Sequence, residues 1–380
     1  MLKRYLLAPG PTPVPPRVLQ SMALPILHHR APDFVPILDS AKKGLKRLYQ
    51  TENDVLILTS TGTGGMVAAV NNFFSPGERV LVVNGGKFGE RWTNIGRAYG
   101  LEVTEIEVPW GHAVKPEQVE QELARDGSIK GVLIQGSETS TGVFHDIRAV
   151  GEVLKRHPEV LYVVDAISAL VAHDIKTDGW GIDVMVAGSQ KGLMLPPGLA
   201  FISVSERAWK KAETAEAPHF YFNLKKERAA LAKNQTNFTS SVTLVVALNE
   251  ALKLLEAEGY GNVFARHARL AEATRAAAKA LGLSLFAKES PSNALTAVET
   301  PAGIDGQEVY KRMREDYGIT GAGGQDQARG KIFRIAHLGY ADTFDVITAV
   351  AGLEMVLRGL GHDLALGSGV AAAQEILMVK

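Results

Sequence analysis

Between Asp54 and Val204 the chain repeats one unit: a short apolar run, an abrupt stop at glycine or small polar residues, then a segment with helical spacing. The runs are Asp54 to Thr59, Arg79 to Asn84, Glu102 to Val108, Gly131 to Gln135, Leu161 to Asp165, Ile182 to Ala187 and Leu199 to Val204. Short apolar runs bounded by turn residues read as buried strands. Strands that alternate with helices predict a mostly parallel sheet covered on both faces. The fold class is therefore α/β, a large domain with a mostly parallel seven-stranded sheet flanked by helices. No internal repeat and no low-complexity segment interrupts it.

In an open α/β sheet, ligands bind beyond the carboxyl ends of the strands. The run ending at Ala187 delivers Gly188-Ser189-Gln190-Lys191-Gly192 to that edge, and the run Leu161 to Asp165 ends there in a lone carboxylate. Desolvation lowers a lysine pKa and frees the amine for Schiff-base chemistry with an aldehyde. An amine beside a carboxylate is what pyridoxal phosphate needs, as a covalent anchor and as a partner for its pyridinium nitrogen.

Other strand ends add to this pair. Ser60-Thr61-Gly62-Thr63-Gly64-Gly65 precedes a predicted helix from Met66 to Phe74. A strand, a glycine turn and a helix aim backbone N–H groups at a phosphate. The turn has neither the Walker nor the Rossmann spacing. Phe88, among the glycines after Asn84, is placed to stack on a planar ring. The hydroxyls of Gly136-Ser137-Glu138-Thr139-Ser140-Thr141-Gly142 lie at the same edge. Arg334 alternates with apolar neighbours in Phe333-Arg334-Ile335-Ala336-His337, as a bidentate clamp on a substrate carboxylate would. Each feature alone also has an ordinary reading: a surface lysine or arginine, a capping aspartate, a core aromatic, turn hydroxyls.

At 380 residues the chain is long enough for two domains and a large core. Its 41 basic and 41 acidic residues balance, which gives no reason to expect a nucleic-acid or anionic-membrane partner. No apolar run approaches a membrane span, and the start before Pro9 is too short for a secretory signal. Zero cysteines mean no disulfide, no thiolate metal site and no thiol nucleophile, and cytoplasm is the default compartment. His28 and His29 are adjacent and point in different directions, so no metal site is expected. The expected division is an N-terminal arm over 1–30, a large domain over 31–260 and a small C-terminal α+β domain over 261–380. Predicted helices run from Pro36 to Tyr49, Val242 to Ala257, Asn262 to Leu281, Gly306 to Tyr317 and Phe344 to Gly359. Strands are predicted near Ala294 to Glu299 and Ile332 to Ala336. The apolar tail from Leu364 to Lys380 is expected to pack on a partner or on the small domain.

Taken in this order, the residues resemble the class V, fold-type I pyridoxal-phosphate aminotransferases, specifically the alanine/serine–glyoxylate (serine–pyruvate) group. The resemblance runs from Pro9-Gly10-Pro11-Thr12 through Glu138-Thr139-Ser140-Thr141-Gly142, Val164-Asp165-Ala166-Ile167-Ser168 and Gly188-Ser189-Gln190-Lys191 to Arg334-Ile335-Ala336-His337-Leu338-Gly339. It implies that Lys191 is the Schiff-base lysine and proton shuttle, and that Asp165 keeps the pyridine nitrogen protonated. Thr63, Gly64 and Gln190 are implied at the phosphate, Phe88 against the ring and Thr139 near the phenolic oxygen. Arg334 is implied as the α-carboxylate clamp, with Gly10 in the arm lining that pocket. Thr239 corresponds to a phosphate contact from a partner subunit, which implies a homodimer with shared active sites. Thr236 stands where some relatives place an aromatic phosphate ligand.

The implied activity is transfer of an amino group from alanine or serine to glyoxylate or pyruvate by a ping-pong mechanism. An alternative is a phosphoserine or aspartate aminotransferase using 2-oxoglutarate, with a second anion meeting His29 or Arg30. A non-enzymatic subunit that retains the fold is the outside reading. Cysteine desulfuration needs a cysteine nucleophile, which the chain lacks.

Overall fold

The computed structural model of the protein describes residues 2–378. Seven strands build the main sheet: β1 (Asp54–Ser60), β2 (Arg79–Asn84), β3 (Glu102–Glu107), β4 (Ile129–Gln135), β5 (Leu161–Asp165), β6 (Val184–Gly188) and β7 (Gly198–Val204). Their order across the sheet is β1-β7-β6-β5-β4-β2-β3. All run in one direction except β7, which is antiparallel to both β1 and β6. A parallel return needs a crossover of a dozen or more residues. The short link from Gly188 to Gly198 offers no such crossover, so β7 turns straight back. Six strands therefore end on one edge, where β7 begins.

The central strands β5 and β6 are buried along their whole length. Their near-continuous apolar sequences follow from burial on both faces. The helix α1 (Gly62–Phe73) packs on β6 and β7. It begins at Gly62, four residues before the start predicted at Met66. The glycines belong to its first turns, where close approach requires them: a Cβ on Gly65 would lie 2.7 Å from Val186 Cγ1. The helix α2 (Lys87–Ala98) follows β2 directly.

The long helices α3 (Val242–Glu258) and α4 (Tyr260–Ala280) lead to a second, three-stranded antiparallel sheet. It comprises β8 (Leu295–Glu299), β9 (Ala322–Gly323) and β10 (Ile332–Ala336), with β10 in the middle. The N-terminal arm laces the two sheets together. Its Tyr5–Leu6 strand pairs with Ile319–Thr320, and the Leu7 carbonyl accepts from Ala336 N–H at 2.8 Å. Thr12 then bonds the loop after β6, its N–H to Gln190 O at 3.2 Å and its hydroxyl to Lys191 O at 2.9 Å.

The tail forms a helix, Ser368–Leu377, whose Val370 and Ala373 join an apolar cluster with Leu270, Ala273 and Val350 of its own chain. Of the two packings expected for it, this is the one on the C-terminal part of the chain. Val379 and Lys380, the end of that tail, lie outside the described residues. Among the described residues no helix is long and apolar enough to cross a membrane.

Asp183 fixes the sheet edge opposite the strand ends. It is 3% exposed and accepts from Tyr162 N–H at 2.8 Å, Ser205 Oγ at 2.7 Å and Arg207 Nε at 2.8 Å. Removing a buried carboxylate leaves those donors unpaired, at a cost of about 3 kcal/mol. Asp183→Ala is predicted to lower the unfolding free energy by that amount in chemical denaturation. A change below about 0.5 kcal/mol, typical of a surface substitution, would contradict this reading.

Candidate active site

Asp165 ends β5 and pairs in register with Val186 of β6, so the loop after β6 brings Lys191 to the same edge. Lys191 is 8% exposed, and its Nζ donates to the Pro9 carbonyl. Gly10 has φ +110°, and a Cβ there would stand 2.6 Å from Lys191 Cε. Only glycine allows the arm to pass so closely. Burial lowers the Lys191 pKa to about 8 against the opposing pull of Asp165, and Arg334 and Arg91 push the same way as burial. Burial raises Asp165 to about 7, although its Oδ1 accepts from Ile167 N–H at 2.7 Å. The negative charge of Glu138 adds to that rise.

The first backbone bond at the head of α1 joins Gly65 N–H to Thr61 O at 3.2 Å, and no side chain caps the helix. The N–H groups of Gly62, Thr63 and Gly64 therefore project from the helix end, which carries the positive pole of its dipole. A Cβ on Gly64 would overlap Ser60 Oγ. The position that a Cβ on Gly188 would take is 3.1 Å from Gln190 Oε1 and 3.5 Å from Gly62 Cα, so the Gln190 amide lies beside the same helix end. Gln190 Oε1 is buried with no hydrogen-bond partner.

Phe88 occupies the first turn of α2, half-buried. Glu138, wholly buried, serves as the missing cap of that helix. Its Oε2 accepts from Phe88 N–H and Gly89 N–H, both at 3.0 Å, and its Oε1 accepts from Ser140. Burial raises the Glu138 pKa against the lowering effect of these bonds.

Arg334, in the middle strand β10, is 6% exposed. Its Nε and Nη2 donate to Gly323 O at 3.0 and 2.7 Å, and its Nη1 donates to Thr139 O at 2.7 Å. These partners are all carbonyls, so they orient the guanidinium without neutralising it. Burial lowers its pKa to about 10, with Glu138 opposing. Thr139 is itself 2% exposed beside this contact.

The structure thus gathers Gly10, Thr63, Gly64, Phe88, Thr139, Asp165, Gln190, Lys191 and Arg334 around one edge. Thr239 is not brought in: it is exposed, on the loop before α3, and lines a small cavity with Thr59 and Tyr221. Thr236 is buried and donates to Phe238 O at 2.7 Å. Arg30 is exposed and donates to Gln235 at 2.8 Å. Two groups in the cleft were not singled out from the sequence. Glu138 stood in a stretch read for its hydroxyls, and Arg91 follows Phe88 by one helical turn, a spacing that places both on one face.

Comparison with known proteins places these residues in context. The family model of the class-V aminotransferases matches residues 4–340. The chain is 46% identical to the "Soluble hydrogenase 42 kDa subunit" of Anabaena cylindrica, over 98% of each chain. It is 40% identical to the L-aspartate–glyoxylate aminotransferase of Paracoccus denitrificans, over 97% of this chain and 94% of that one. The solved alanine–glyoxylate aminotransferase of Nostoc sp. superposes with a TM-score of 0.90 at 31% identity, over 94% of this chain and 96% of that one.

The buried amine gives a direct prediction. In cofactor-free protein, labelling of the Lys191 peptide by an amine-reactive reagent should reach its midpoint near pH 8, followed by mass spectrometry. A midpoint above about 10, the ordinary lysine range, would contradict the desolvation argument.

Proposed function

Because the chain belongs to the class-V aminotransferases, a family of pyridoxal-phosphate enzymes, we propose that it moves an amino group from alanine or serine to glyoxylate or pyruvate in ping-pong fashion. One observation carries this reading: the Asp165 carboxylate ending β5 and the Lys191 amine on the loop after neighbouring β6 are both drawn by burial toward neutral pH, facing an Arg334 that has no carboxylate partner among the described residues.

The residues present fit pyridoxal phosphate. Asp165 is a carboxylate whose pKa burial raises to about 7, with Arg91 and Lys191 only partly offsetting the loss of water, and a pyridinium N–H would offset it further. The uncapped head of α1 suits a phosphate, and the Nε2 of the neighbouring Gln190 amide would donate to it. Thr63 and Gly64 would hold that phosphate, Phe88 would face the ring and Thr139 its phenolic oxygen. Bound there, the cofactor supplies an aldehyde for amine exchange and a ring that accepts electrons.

The chain's own residues do the rest. Arg334 holds the substrate α-carboxylate through a guanidinium already oriented by Gly323 O and Thr139 O. Lys191 Nζ, neutral in part of its population near pH 8, takes the proton from the substrate Cα and would deliver it to C4′ of the cofactor. The acid–base step runs best when the base titrates near the working pH. Asp165 keeps a proton at the ring nitrogen. The Pro9 to Thr12 arm covers Lys191 and excludes water from the amine.

The reading includes a homodimer with shared sites, in which Thr239 reaches the partner's phosphate. Its support is the exposure of Thr239 and of the nearby Phe220 and Tyr221. The cytoplasm is the compartment this reading assigns. The two aminotransferase relatives share glyoxylate in their names and differ in the donor, alanine or aspartate. The donor proposed has one carboxylate; a second anion would have to meet His29, Arg30 or other basic residues, and Arg30 is already bonded to Gln235 of its own chain. The relative named as a hydrogenase subunit does not alter this reading: a chain without cysteine offers no thiolate to an iron–sulfur cluster.

The test is turnover with glyoxylate across alanine, serine, aspartate and phosphoserine, with variants. Alanine or serine should give the highest kcat/KM; a preference for aspartate or phosphoserine would overturn the donor assignment. Arg334→Gln should raise the donor KM about a hundredfold, the loss of a charge-assisted clamp. Lys191→Ala should abolish turnover, and retained turnover would refute the role of that lysine.

A further inference from the structure

Arg91 lies in the wall between two residues of the cleft. Its Nη1 donates to Thr63 Oγ1 at 3.1 Å, and its Cζ stands 4.8 Å from the centroid of the Phe88 ring. It is half-buried and forms no salt bridge among the described residues. Its charge nevertheless acts across the cleft, lowering the pKa of both Asp165 and Lys191.

We propose that Arg91 is a cofactor-positioning residue, its guanidinium bracing the Thr63 hydroxyl at the phosphate end of the cleft against the Phe88 ring. The inference rests on the pyridoxal-phosphate reading above and assigns a role to a residue outside it. A threonine hydroxyl has one proton and two lone pairs. With a lone pair of Thr63 engaged by Arg91, its O–H is left to donate to an anion at the head of α1. The positive charge beside it favours that anion. Glu138 fixes the backbone of Phe88 through its N–H, which leaves the side-chain torsions to be set by what packs on the ring. A guanidinium over an aromatic face supplies that restraint. Lysine keeps the charge and loses the flat face and the fork of donors.

Arg91→Met and Arg91→Lys separate these contributions, with two readouts that do not depend on turnover. The first is the pyridoxal phosphate Kd, from tryptophan fluorescence quenching of the apo-protein. Arg91→Met should raise it about tenfold, the scale of one charged hydrogen bond plus a cation–π contact, and Arg91→Lys should fall between. The second is the labelling midpoint of Lys191 in the apo-protein, where the charged groups facing the amine are Asp165, Arg334 and Arg91. It should move upward in Arg91→Met and stay in place in Arg91→Lys. An Arg91→Met Kd within about twofold of wild type overturns the proposal. So does a raised Kd that Arg91→Lys restores fully, since that marks a contribution of the charge alone. Failure of the wild-type protein to bind pyridoxal phosphate would instead remove the parent reading, and the apo labelling distinguishes the two failures.

Discussion

Lys191 is held where water is nearly excluded, with β6 behind it, the Pro9 to Thr12 arm in front, and Asp165, Arg334 and Arg91 around it. An ammonium in such a place has lost most of its hydration, and its one nearby carboxylate does not make up the difference. The amine therefore gives up its proton readily. The same loss of solvent acts in the opposite direction on Asp165 and raises its pKa. A buried base pushed down and a buried acid pushed up toward neutral pH in one cleft are shifts of the kind that acid–base sites use. The arm that covers Lys191 is held by the bonds of Leu7 and Thr12 to two different sheets.

The charges divide between the two sheets. The large sheet supplies the amine, the carboxylate and the uncapped head of α1. The small sheet supplies Arg334, aimed into the cleft by carbonyls from β9 and from the loop after β4. Glu138 stands between them. It caps α2 and so places Phe88, and its charge favours the ionised guanidinium of Arg334 while disfavouring a second carboxylate at Asp165. In the reading proposed above, an anionic substrate is attracted at one end of the cleft, and an anionic group of the cofactor at the other.

Much of this was written in the order of the residues. Short apolar runs that stop at Asp165 and before Lys191 read as buried strands, and a parallel sheet brings their ends together. Arg334 was legible because a charge inside an alternating apolar strand needs a reason. Other features were not legible, for reasons that can be named. The reversal of β7 follows from the length of one link rather than from its own sequence. The start of α1 was set too late because glycine has low helix propensity, whereas here it serves close packing against Val186. Glu138 caps a helix that begins about fifty residues earlier, and no local pattern announces such a contact. Arg91 carried a local signal, the helical spacing from Phe88, but its bond to Thr63 joins two different strand ends. Thr239 stands apart in this chain, and the role proposed for it is at a partner's site.

The central claim is that Lys191 is the amine on which the chemistry turns. Borohydride reduction of the protein reconstituted with pyridoxal phosphate, followed by peptide mass spectrometry, tests it most directly. The account predicts a cofactor-sized mass increment confined to the peptide that carries Lys191, lost when alanine is added before the reductant. An increment on another lysine, or none in a protein that transaminates, would contradict it.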